Sequence, residues 1–130
     1  MPRHVKQTTS FNYLAEAAIT ANAVVIAGTA DNEVDMPGAA DVAPWGVALE
    51  AAAIGESVDV QRNGYAIVIA NAAITKGDFV AISGTDGRVA GITIGTTTHD
   101  QRLVGRAMQA ASGAGAELSI ELMLGQLVTV

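Results

Sequence analysis

Short segments in which apolar and polar residues alternate recur along the chain. Val58 and Val60 alternate with Asp59 and Gln61, and residues 117–122 repeat the same pattern. A period of two places successive side chains on opposite faces, which is typical of a β-strand with one buried face. The pattern therefore predicts strands over both segments.

A continuous apolar run at residues 65–70 indicates a strand buried on both faces. It follows Asn63-Gly64, a pair that favours a tight type I′ hairpin turn because both central residues take positive φ. Apolar segments bounded by turn residues predict nine strands in all: 23–28, 45–49, 57–62, 65–70, 79–83, 87–91, 103–109, 117–124 and 127–130. Short strands at this spacing predict an all-β fold, a small barrel or sandwich.

Two alanine-rich stretches, 13–23 and 47–54, also favour helix by intrinsic propensity. For the first stretch, one or two turns of helix are an alternative that the sequence does not decide. The second has a related segment at 105–120 that is interrupted by Ser-Gly-Ala-Gly at 112–115, so we interpret it as a strand end and loop.

The two halves of the chain resemble each other in order. GVALEAAAIGESVDV (46–60) aligns with GRAMQAASGAGAELSI (105–120) with one residue inserted, and Ala-Ile-Thr at 18–20 aligns with 73–75. We infer an internal duplication with half-units at about 18–62 and 73–122. Because neither half-unit has enough strands to close a core alone, we expect the two to pack together with pseudo-two-fold symmetry.

The composition fits one compact domain. The chain has 130 residues, of which 50% are apolar and only 4% aromatic, so the core must consist of small aliphatic side chains. It has no cysteine, which excludes disulfides, thiolate catalysis and zinc–cysteine or iron–sulfur sites. We expect no membrane span and no secretory signal, because no apolar run is long enough and the N-terminus lacks an apolar region. The expected compartment of synthesis is the cytoplasm.

Charge divides the chain into an arm and a body. The net charge is −6, which excludes a general nucleic-acid binder. Residues 1–14 carry +2 with no acid, and they hold two of the five aromatic residues. Interfaces favour arginine and aromatic side chains, so we interpret 1–14 as an extended, loosely ordered contact arm, with a frayed terminus as the alternative. Residues 15–130 form the body.

Few residues suggest catalysis. His99 and Asp100 adjoin in a polar loop, but neighbours in sequence point in different directions, and Ser112 lacks the pattern around a catalytic serine. No phosphate-binding or dinucleotide-binding glycine motif is present, so we expect no cofactor. The sequence thus gives no catalytic residue, and a small hydrolase or isomerase using His99 and Asp100 is the weakest interpretation.

Two further features have structural explanations. Asp31, Glu33 and Asp35 have the spacing that opens a calcium loop, but Met36 and Val42 replace its required glycine and glutamate, which excludes an EF-hand. We favour a solvated acidic loop and expect no metal site, with a looser cation site as the alternative. Trp45, the only tryptophan, is expected to be a core or subunit anchor.

Three segments in order carry a family resemblance. GVALEAAAIGESVDVQRNGYAIVIA (46–70), AAITKGDFVAISGTDGRVA (72–90) and LVGRAMQAASGAGAELSIELML (103–124) resemble the capsid cement or head decoration proteins of tailed bacteriophages. The resemblance implies a small β-barrel or β-tulip with an arm. It also implies a non-enzymatic protein, usually trimeric, that binds the outside of an expanded phage head and bridges neighbouring capsomers.

From this resemblance and the arm we expect a virion protein on the outer capsid surface, with the major capsid protein and its own copies as partners. We hypothesise that Arg3, Lys6, Phe11 and Tyr13 carry most of the capsid contact. The mean hydropathy of +0.35 is high for a small monomer, which also favours a homo-oligomer. A β-barrel module that recognises carbohydrate or a host surface is the alternative, with Trp45 and Tyr65 as its candidate aromatics.

Overall fold

The computed structural model describes residues 9–39, 42–94 and 100–129, and all regular structure in these ranges is β. The chain forms twelve strands: β1 (Ser10–Ala15), β2 (Val24–Ala27), β3 (Glu33–Asp35), β4 (Gly46–Ala48), β5 (Ser57–Gln61), β6 (Tyr65–Ile69), β7 (Phe79–Ile82), β8 (Val89–Ile92), β9 (Asp100–Arg102), β10 (Gly105–Ala107), β11 (Glu117–Leu122) and β12 (Leu127–Thr129). The all-β prediction is confirmed, and each of the nine predicted strands has a counterpart.

The helical alternative for residues 13–23 is wrong. Residues 13–15 belong to β1, and residues 16–23 contain bends, a turn and one bridge residue, Ile19. The Ile19 N–H donates to Ala52 O over 2.8 Å, and the Ala52 N–H donates back to Ile19 O over 3.0 Å. These cross-chain hydrogen bonds satisfy the backbone, so tertiary pairing overrides the helix propensity of alanine.

The first half of the chain closes a five-stranded barrel in the order β1-β3-β2-β4-β5. β1 pairs with β5 in antiparallel register, with Tyr13 opposite Val58, and it pairs with β3 in parallel, with Ala15 opposite Val34. β1 therefore closes the barrel between β3 and β5.

The second half repeats this arrangement. Its five-stranded sheet has the order β6-β11-β10-β7-β8, in which each strand takes the place of one strand of the first half. A parallel bridge between Ala70 and Val89 links the end of β6 to β8, as the parallel β1–β3 pairing does in the first half. β9 and β12 form a separate two-stranded sheet.

Hydrogen bonds outside the strands repeat as well. The reciprocal pair between Ile19 and Ala52 recurs between Ile74 and Ala111, with distances of 3.0 and 2.9 Å. The repeated unit is longer than the predicted half-units, because it begins at β1 and β6 rather than at residues 18 and 73. These two strands supply the fifth strand of each half.

The interior consists of two clusters that share strands. The first-half cluster contains inward residues of its own barrel, such as Val25 and Ala48. Their neighbours Val24 and Val47 point the other way and belong to the second-half cluster, with Val80 and Ile120. Because β2 and β4 alternate between the two clusters, the halves are packed as one body.

Candidate interaction surfaces

The N-terminal part of the described chain is fixed at the β5–β6 hairpin. The Arg62 N–H donates to Thr9 O over 2.8 Å. The Thr9 N–H donates to Asn63 Oδ1, and Asn63 Nδ2 donates to Thr9 Oγ1 over 3.0 Å. The chain is therefore held to the barrel from residue 9 onward.

This anchoring shortens the predicted arm. Residues 10–14 belong to β1 and cannot be a loosely ordered arm, because β1 fills the gap between β3 and β5. Of the four predicted contact residues, Arg3 and Lys6 lie outside the described residues. Phe11 lies in β1 and its side chain is 49% exposed, whereas Tyr13 packs against the first-half cluster.

Trp45 packs between the side chains of Arg62 and Tyr13 rather than standing at an exposed loop tip. The guanidinium carbon of Arg62 lies 3.9 Å from the centroid of the indole ring, and Arg62 Nε donates to Trp45 O over 2.9 Å. The ring of Tyr13 meets the indole edge-on, with centroids 6.4 Å apart and planes at 81°. Trp45 also packs against the first-half cluster. The structure thus places two of the singled-out residues, Tyr13 and Trp45, in one contact.

The acidic loop is organised by backbone hydrogen bonds. Glu16 accepts from the Thr29 N–H over 3.0 Å, and Asp35 accepts from the Met36 N–H over 2.7 Å. The hydrogen bonds from Thr29 lower the pKa of Glu16. Burial is the main cause that raises the pKa of Asp35, and the nearby Glu16 and Glu33 carboxylates add to it. In the part of the chain that the structure describes, no three His, Asp or Glu side chains are grouped to hold a metal ion.

The outer side of β6, β11 and β10 is a surface that the sequence analysis did not identify. Register places Ile67 opposite Ser119 and Tyr65 opposite Glu121, while Met108 lies beyond β10 with its N–H donating to Ser119 O. A shallow hollow is lined by Tyr65, Met108, Gln109 and Ser119. We call Tyr65, Ile67, Met108, Gln109 and Ser119 the second-half face. The prediction of a strand buried on both faces at residues 65–70 is wrong, because Tyr65 and Ile67 are exposed. A continuous apolar run carries no sequence signal for which side of the strand is buried.

The structure does not describe the side chains of the enzyme interpretation, His99 and Asp100. His99 lies outside the described residues, and nothing of the Asp100 side chain is described. Over residues 9–39, 42–94 and 100–129, no helix is long and apolar enough to cross a membrane.

Comparison with known proteins gives first the fold and then the family. The head fiber gp8.5 N base of bacteriophage phi29 has the same fold, with a TM-score of 0.67 and 21% identity over 89% of this chain and 94% of that one. The family model for phage cement proteins matches residues 4–124. The chain therefore belongs to the phage cement protein family, which indicates a structural, capsid-associated role and a place on the virion. No curated protein matches the chain.

Proposed function

We propose that the protein is a non-enzymatic cement protein that binds the outer surface of the expanded capsid and stabilises it by bridging neighbouring capsomers. The observation that carries this proposal is the family match over residues 4–124. Its partners are the major capsid protein and other copies of itself, and we propose a homotrimer. Many weak contacts repeated over a lattice produce strong overall attachment, because linked contacts bind with high effective concentration.

We further propose that the N-terminal segment provides the capsid contact through Arg3, Lys6, Phe11 and Tyr13. The exposed ring of Phe11 supports this assignment, since it lies on the strand that the basic segment enters. Tyr13 contributes by supporting this strand against Trp45. The basic charge of residues 1–8 contrasts with the acidic body and gives the segment a different partner preference.

The test adds purified protein to expanded capsids prepared without it and measures how much protein binds. The double variant Arg3→Ala/Lys6→Ala is expected to lower the affinity for capsids about tenfold or more, because it removes both charges of the segment. The matched control is Lys76→Ala/Arg88→Ala, which gives the same net charge from residues on the body and is expected to bind as the wild type does. Phe11→Ala is expected to weaken binding with the fold intact. Equal occupancy of all these variants would contradict the assignment of the contact.

A further inference from the structure

The duplication gives an internal comparison between two equivalent outer faces. The register of β1 on β5 matches that of β6 on β11, so each residue of the second-half face has an equivalent in the first half. The equivalent pairs, first half and then second half, are Ser10 and Tyr65, Asn12 and Ile67, Leu49 and Met108, Glu50 and Gln109, and Asp59 and Ser119.

The first-half face has polar side chains at its centre that are hydrogen-bonded within the chain, with Leu49 exposed beside them. Asn12 Nδ2 donates to Asp59 Oδ1 over 3.1 Å, and the Asp59 N–H donates to Glu50 Oε1 over 3.2 Å. Two carboxylates lie at its centre. This arrangement is suited to contact with water.

The second-half face has lost both of these charges. Ser119 and Gln109 replace the two acids, and Gln109 Oε1 keeps the equivalent hydrogen bond from the Ser119 N–H, at 3.0 Å. Around them Tyr65, Ile67 and Met108 are 43%, 50% and 39% exposed. The centre of this face is therefore uncharged and holds a tyrosine and a methionine, while the carboxylate residue Glu117 lies at its edge beside Ile67 and Gln109. Depletion of charge with enrichment of tyrosine and methionine is typical of the centre of a protein interface.

The charges at the border of this face indicate what covers it. Glu121 and Arg106 stand opposite each other in the β10–β11 register, both exposed. The one salt bridge among the described residues joins Arg88 to Asp86, so no ion pair joins Glu121 to Arg106. Arg106 instead donates from Nε to Gly77 O over 3.1 Å, with its guanidinium 5.4 Å from the Phe79 ring. An acid next to the β6 side and a base on the β10 side make the face complementary to another copy of itself.

We propose that the second-half face is the contact between copies of this protein. The β6 side of one copy, with Tyr65 and Ile67, packs against the β10 side of the next, with Met108, and Glu121 of one copy faces Arg106 of the next. A contact that joins two different sides of the same face repeats from copy to copy and can close into a ring. The inference deepens the proposed homo-oligomer and rests on the proposed function in that respect.

The first experiment is the concentration dependence of the mass in solution, measured by sedimentation. Ile67→Asn places at this position the residue that the first half already has, so the strand is expected to tolerate it. It is expected to raise the Kd of self-association about tenfold or more, because it removes an apolar side chain from the centre of the contact. The matched control, Leu49→Asn, changes an equally exposed apolar residue of the first-half face and is expected to leave the mass unchanged.

A charge exchange tests the pairing across the contact. Glu121→Arg and Arg106→Glu are each expected to weaken self-association, because like charges then face each other. The double variant Glu121→Arg/Arg106→Glu is expected to recover it, because opposite charges then face each other at every contact of the ring. Wild-type protein that stays monomeric at all concentrations would overturn the inference, as would Ile67→Asn protein with unchanged mass and normal circular dichroism.

The capsid-binding assay keeps this result separate from the proposed function. Wild-type protein that self-associates through the second-half face but does not bind capsids would overturn the function and leave the contact standing. Wild-type protein that binds capsids, together with Ile67→Asn protein of unchanged mass, would overturn the contact and leave the proposed function standing.

Discussion

At the scale of single residues, two glycines permit the closest approach of neighbouring strands. A Cβ built on Gly105 would lie 2.0 Å from Glu121 O, and one on Gly46 would lie 2.6 Å from Gln61 O. Both distances are far below van der Waals contact. The repeat of this approach in both halves shows that small residues at the start of β4 and β10 are needed to let these strands meet β5 and β11.

We therefore predict that Gly105→Ala lowers the free energy of unfolding by about 1–3 kcal/mol, because the strand must shift to make room for the methyl group. Urea unfolding followed by circular dichroism measures the change. Gly113→Ala is the control, since a Cβ at that position meets nothing within 4 Å, and it is expected to change stability by less than about 0.5 kcal/mol. Equal effects of the two substitutions would contradict the packing argument.

Asp35 makes stability depend on pH in the acid range. Burial raises the pKa of Asp35 above its ordinary value of 3.8, so the folded state binds the proton more tightly than the unfolded state does. The ionised carboxylate therefore costs stability at neutral pH, and the cost disappears as the pH falls through the raised pKa. The lowered pKa of Glu16 acts in the opposite direction, because its stabilising charge is lost as the pH falls.

We predict that Asp35→Asn raises the melting temperature slightly at pH 7. The free energy of unfolding should rise by less than about 1 kcal/mol, because the loop is accessible to solvent. The difference from the wild type should shrink as the pH falls and vanish below about 3.8, where Asp35 is protonated in both states. Thermal melts from pH 3 to 7 measure it. Asp31→Asn removes the same charge nearby as a control, and an equal gain from both variants would show that net charge alone is responsible.

At the scale of the elements, the barrel begins at β1, and residues 1–8 precede it. We predict that deletion of residues 2–8 leaves the circular dichroism spectrum and melting temperature close to those of the wild type. Deletion of residues 2–14 should abolish cooperative melting, because it removes most of the strand that joins β3 to β5. Cooperative melting after the longer deletion would show that β1 is dispensable to the fold.

The strands that the sequence missed are the ones with the weakest local signal. β3 is three residues long and buries only Val34, and β9 is equally short. β1 does alternate, with Tyr13 and Ala15 turned inward, but its basic and polar flank favoured the interpretation as an arm. Periodicity thus predicted the longer strands, while pairing partners distant in sequence decide the short ones.

The interaction surfaces were harder to predict than the fold. The sequence indicated Trp45 as an anchor, but its contact with Arg62 joins residues 17 positions apart and has no local pattern. The second-half face depends on which side of β6 is buried, and an uninterrupted apolar run does not reveal this. The duplication was visible, and its use as an internal comparison became possible only when the register aligned Asn12 with Ile67.

At the scale of the whole molecule, the two halves share one core. Val24 and Val47 belong to strands of the first barrel but are fully buried in the second-half cluster. Damage to one half should therefore be felt in the other. Trp45, the only tryptophan, lies in the first half and reports on that half alone, whereas circular dichroism reports on both.

We predict that Ile120→Ala, which creates a cavity in the second-half cluster, lowers the free energy of unfolding by about 2–5 kcal/mol. The unfolding transition followed by Trp45 fluorescence should shift as far as the one followed by circular dichroism. The reason is that the second half cannot open without exposing Val24 and Val47, whose strands hold the first barrel closed. Val34→Ala in the first-half cluster is the reciprocal control and should also move both transitions together. A tryptophan transition that stays in place while circular dichroism changes would mean that the halves unfold independently, and that the shared strands do not couple them.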